Sequence, residues 1–106
     1  MTNANENLRM ALNYFPTSTF DQLVKLQQLL REGGLQSYPL QERLTGITSE
    51  QLDGDLNDLE LYKVISRKGD VVSVTKEGFR YLENFSAKYP KEHTSKIRDI
   101  VVKCST

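Results

Sequence analysis

Five carboxylates fall within eleven residues, Glu50, Asp53, Asp55, Asp58 and Glu60, with no Lys or Arg among them. Paired carboxylates can do general acid–base work, but only inside a pocket that shifts a pKa. These lie on what reads as an open helix. His93 is the only histidine and Cys104 the only cysteine. A structural zinc site takes four ligands, so the pair cannot build one. His93, close to Pro90, reads as a surface or helix-start residue. Cys104 falls on an apolar stripe and reads as a small buried hydrophobe. The chain has no phosphate-binding glycine loop, no nucleophile elbow and no histidine with a Ser or Cys partner. No enzyme, metal or cofactor is expected. The remaining chemistry is binding, by the acidic run or by Arg67 and Lys68, which precede Gly69-Asp70.

The elements that must position these residues follow from spacing. Residues 1–5 read as disordered. Leu8, Ala11, Leu12 and Phe15 mark one face of a helix over 6–15, which Pro16 stops. Thr17-Ser18-Thr19 offers a cap. Phe20, Leu23, Leu26 and Leu30 make the stripe of a second helix, ended by Gly33-Gly34. Pro39 introduces a short helical turn over Leu40 to Leu44. Thr48 or Ser49 caps a helix whose inner face is Leu52, Leu56 and Leu59, with Gln51 as a capping-box partner of Thr48. Its outward residues are Glu50, Gln51, Gly54, Asn57 and Asp58. Residues 63–68 and 71–75 read as strands joined by Gly69-Asp70, a hairpin signal. Thr75 caps a helix with Phe79, Leu82 and Phe85 inside, and Pro90 breaks it. A last helix over 94–104 carries Ile97, Ile100, Val101 and Cys104.

At 106 residues the chain suits one domain, 1–106, and its 38% hydrophobic content suits a globular one. No apolar run approaches the ~20 residues of a membrane helix, so no membrane partner is expected. The first residues lack the basic and apolar regions of a signal peptide. With one cysteine, a cytoplasmic location is expected. The formal net charge is zero, yet residues 41–60 hold six acids against Arg43, whereas residues 61–106 hold ten bases against five acids. Such asymmetry points to a nucleic-acid or protein partner, or to two solvated faces that differ.

Residues 19–85 resemble the winged helix-turn-helix superfamily of transcription regulators. The resemblance lies in Leu56-x-x-Leu59-x-x-Tyr62-x-Val64-Ile65-x-Arg67, followed by Val74-Thr75-x-x-Gly78-x-x-Tyr81-Leu82. It implies an α+β fold, mostly helical, with a short hairpin wing and helical extensions at both ends. It also implies a DNA-binding regulator, with helix 48–60 in the major groove and the wing on the backbone. Thr48, Ser49, Gln51 and Asn57 would then face the groove, Gln51 and Asn57 with amide geometry suited to adenine. Arg67 and Lys68 at the wing tip, and Arg43 on the preceding turn, would hold phosphate. The acidic helix departs from this pattern, because DNA affinity rests on Lys and Arg. The alternative is a winged-helix adaptor whose helix 50–60 docks a basic protein. Small regulators of this kind dimerise through outer helices, so Leu8, Leu12, Phe15, Ile97, Ile100 and Val101 are expected at a homodimer seam, or else to complete one chain's core.

Overall fold

The computed structural model describes residues 5–35 and 49–105. In chain order they form α1 (Glu6–Ala11), β1 (Thr17–Thr19), α2 (Phe20–Glu32), α3 (Ser49–Leu61), β2 (Ile65–Lys68), β3 (Val71–Val74), α4 (Lys76–Ser86) and α5 (Lys91–Ser105). The class is α+β, with five helices and one antiparallel sheet of order β1-β3-β2 among the described residues. The expected turn over Leu40 to Leu44 lies outside the described residues.

Local chemistry explains most boundaries, including those that depart from the periodicity. α1 is shorter than the 6–15 stripe. Pro16 pushes Phe15 away from helical backbone, and the Pro16 carbonyl accepts from the Val74 N–H at 2.8 Å instead. Thr17–Thr19 is therefore a strand as well as a lead into α2, with Thr17 opposite Ser73 and Ser18 opposite Val72. Three residues are too few to show alternation. Thr19 also closes a capping box, accepting from the Gln22 N–H at 3.2 Å while its own N–H donates to Gln22 Oε1 at 2.8 Å. α2 ends where Gly34 turns left-handed, φ +85°. α5 begins three residues before the expected start, directly after Pro90. Proline cannot continue α4, but a helix start needs no donor there, and its carbonyl accepts from the His93 and Thr94 N–H groups.

One core joins these elements. Leu8 and Leu12, Leu23, Leu26 and Leu30, Leu52 and Leu56, Ile65, Leu82 and Ile97 are fully buried. α5 packs on α1 and α2, α4 packs on α1, and α3 packs on β2. Burial of each such side chain contributes roughly 1.5–3 kcal/mol. The residues expected at a seam between copies are covered by their own chain. Leu8, Leu12, Phe15, Ile97 and Val101 are buried, and Ile100 packs partly buried against the same core. The cause is geometric: α5 folds back along α1 and α2, so the apolar faces of the first and last helices meet each other.

Polar groups tie the outer elements down. Asn13 Nδ2 donates to the Leu82 carbonyl at 3.1 Å and lies 2.5 Å from Ser86 Oγ. Tyr89 donates its hydroxyl proton to Glu6. His93 lies in the first turn of α5, as a helix-start residue, and is half-buried: Nε2 lies 3.0 Å from Asn7 Oδ1 and its ring stacks on Tyr89. Cys104 is buried, as its stripe predicts, and burial pushes its thiol pKa up, opposed by nearby Lys25.

Candidate binding surface

α3 presents its acids on a surface that the hairpin partly screens. Leu52, Leu56 and Leu59 face the core, while Glu50, Gly54, Asn57, Asp58 and Glu60 are exposed. No atom lies within 4 Å of where a Gly54 Cβ would sit, so that stretch of helix is open. Gln51 and Asp55 are half-buried, and each already has an interaction partner.

Arg67 stands one register position from the last pair before the Gly69-Asp70 turn, near the hairpin tip as expected, but its side chain is engaged within the chain. Arg67 is the third of four residues in β2, opposite Val72, and leans onto α3. Its Nη2 meets Asp53 Oδ1 at 2.9 Å, and its Nη1 donates to Asn57 Oδ1 at 3.0 Å. The Arg67 side chain is 19% exposed and that of Asp53 50% exposed. Hairpin and helix are thus clasped by one guanidinium, a geometry that suits Arg and its fork of donors. Two residues expected to contact DNA, Arg67 and Asn57, contact each other. Lys68 is exposed beside the Gly69-Asp70 turn, and Ser49 is exposed at the first position of α3. Arg43 and Thr48 lie outside the described residues.

The other end of α3 opens a hollow of about 530 Å³ against α4. Leu59, Tyr62, Val64, Gly78 and Tyr81 line it, with Arg9, Asp58, Lys63 and Glu77 adding charge. Backbone turns build it. Lys63 adopts φ +63°, left-handed, where a helix exit usually carries Gly. The Val64 N–H reaches back to the Leu59 carbonyl at 2.9 Å, and that of Lys63 to Glu60 at 3.0 Å. The Thr75 hydroxyl lies 2.5 Å from the Lys63 carbonyl and 3.2 Å from that of Val64, bridging strand and helix cap. Of the lining residues, Tyr62 is 77% exposed and Tyr81 42%, and Leu61, next to Tyr62 in the chain, is 74% exposed. Exposed apolar patches mark interaction surfaces, and Tyr is enriched at them.

Periodicity places Leu52, Leu56 and Leu59 inward, so Leu61 falls off the stripe in the sequence itself. The hollow was not legible, because it depends on α4 docking beside the exit of α3. Among the described residues no group of three or more His, Cys, Asp or Glu side chains is placed to hold a metal ion, and no helix is long and apolar enough to cross a membrane. Comparison with known proteins finds no matching family model, no matching curated protein and no matching solved structure.

Proposed function

We propose that this chain is a winged-helix domain used as a protein-docking module, with α3 as its docking helix. Support for the winged-helix reading comes from the strand order β1-β3-β2 and from the β2–β3 hairpin that directly follows α3. The observation that carries the docking reading is the clasp of Arg67 by Asp53 and Asn57. It spends on an internal contact the cation and the amide best suited to DNA. What faces outward is Glu50, Asp58 and Glu60, followed by exposed Leu61 and Tyr62. An acidic helix that ends in exposed Leu61 and Tyr62 fits a basic protein segment with an apolar anchor. Carboxylates facing phosphates would weaken DNA binding.

The test is a fluorescent Lys/Arg-rich amphipathic peptide titrated by anisotropy, in parallel with a duplex oligonucleotide. Wild type should bind the peptide and release it as salt rises. Glu50→Lys with Asp58→Lys should abolish that binding. Peptide binding that survives the double reversal sinks the assignment of α3.

DNA binding by a winged-helix regulator is the second reading, favoured by exposed Ser49 at the start of α3 and exposed Lys68 at the hairpin. In that case the same reversal tightens duplex binding. Lys68→Ala then lowers the slope of log affinity against log salt by about one phosphate contact.

A further inference from the structure

We propose that a second hollow, between α4, the turn after α1 and the start of α5, binds a small zwitterion: a quaternary ammonium tethered to an anionic group. Its described lining includes no residue of α3, so the site stands apart from the docking surface. Spacing on α4 puts Phe79 inside with Leu82 and Phe85, yet its ring is 40% exposed while Leu82 is fully buried. Tyr14, from the turn after α1, is 39% exposed and lines the same hollow, whose volume is about 530 Å³. Ligand sites span roughly 300–1,000 Å³. Fixed neighbours hold these rings in place. Asn13 Nδ2 donates to the Leu82 carbonyl at 3.1 Å, which ties the turn carrying Tyr14 to α4. Tyr89 also lines the hollow, with its hydroxyl committed to Glu6 and its ring packed on those of Phe85 and His93. The charged groups of the lining are Glu83 and Lys91. They have opposite signs and share the hollow, yet no ion pair joins them. Glu83 follows Phe79 by four residues, so carboxylate and ring share a face of α4. Aromatic rings beside a carboxylate receive a cation that offers no hydrogen bonds, which is the chemistry of a quaternary ammonium. A simple cation would be repelled by Lys91, and a simple anion by Glu83. A molecule carrying both signs satisfies each, and bridges a pair of charges that the fold leaves apart.

Amide chemical-shift titration of the full chain tests this with three probes: glycine betaine, tetramethylammonium, and tert-butylacetate, the carbon isostere of betaine. Betaine should shift the amides of Tyr14, Phe79, Glu83 and Lys91 saturably. It should bind roughly tenfold tighter than tert-butylacetate, which has the same shape and no cation. Phe79→Leu and Tyr14→Leu should each weaken betaine by about threefold. Both rings are exposed enough for the fold to survive their loss, and unchanged amide shifts away from the hollow show that it has. Lys91→Gln should weaken betaine but not tetramethylammonium, whereas Glu83→Gln should weaken both. Betaine that binds no better than its carbon isostere, or binds the Phe79→Leu chain as well as wild type, overturns the proposal. So does a Lys91→Gln chain that loses betaine and tetramethylammonium in equal measure, since the anionic half would then have no partner. None of these outcomes bears on α3, so the docking reading stands or falls by its own titration.

Discussion

Lys63 and Gly78 face each other across the exit of α3, and each shows what its position demands. At φ +63° Lys63 carries a side chain where the backbone favours none. Lys63→Gly should stabilise the fold by about 1 kcal/mol, because glycine takes the left-handed turn without steric penalty. Urea denaturation would show the gain, and a loss of stability would mean that the lysine side chain is held by a contact worth more than the strain. Gly78 is the opposite case. A Cβ there would lie 1.9 Å from the Val64 carbonyl oxygen, a backbone atom that cannot swing aside. Gly78→Ala should cost about 3 kcal/mol or more, beyond ordinary overpacking. Chemical denaturation at constant slope is the measurement. Gly78 was visible in the sequence within the stretch that resembles winged-helix regulators. The reason for it was not, since the contact joins residues fourteen apart in the chain, one in the turn after α3 and one in α4.

Among the elements, α3 has a C-terminal end that runs against its dipole. Glu60 stands in its last turn and no base accompanies it, whereas a helix C-terminus favours cations. Glu60→Lys should therefore raise stability, by about 0.3–1 kcal/mol at low salt and less at high salt. A thermal melt at two ionic strengths checks both the sign and the screening. The junction of α4 and α5 makes a second case. Tyr89 donates to Glu6 on α1, and its pKa is pushed up to about 12, first by burial and then by that hydrogen bond and the Glu6 charge. The raised value means the folded state favours the protonated phenol. Its stabilisation is complete below pH 10, the ordinary tyrosine value, and is lost as pH rises from about 10 towards 12. Tyr89→Phe should remove that part of the alkaline fall, read from denaturant midpoints at several pH values. A variant with an unchanged alkaline profile would assign the fall to the other tyrosines. Helix identities and caps were legible here, because Thr19, Thr75 and Pro90 act within a few residues. β1 was not, because pairing with β3 lies outside any local window, and the start of α5 was placed late because its apolar stripe begins only at Ile97, while Pro90 lets the helix begin at Lys91.

For the whole molecule, the covering of α1 and α5 by their own chain has a direct consequence. Ile97→Ala should cost about 2–5 kcal/mol, and the loss should be the same at every protein concentration, as for a core within one chain. A loss that shrinks as the protein is diluted would return Ile97 to an interface between copies. Val102→Ser, on the outer face of the same helix, should leave the dilute-solution stability nearly unchanged.

The amino-acid sequence by itself determined the helices, the hairpin, the inward leucines of α3 and the segregation of charge. Each of these follows from side-chain period, proline and glycine chemistry, or a count of acids and bases. Tertiary structure alone decided that Arg67 is clasped by Asp53 and Asn57, that the terminal helices cover one another, and that Tyr62 and Tyr81 line one hollow. These depend on which faces of distant segments come together. That choice is made by burial of the whole core, and no run of neighbouring residues carries it.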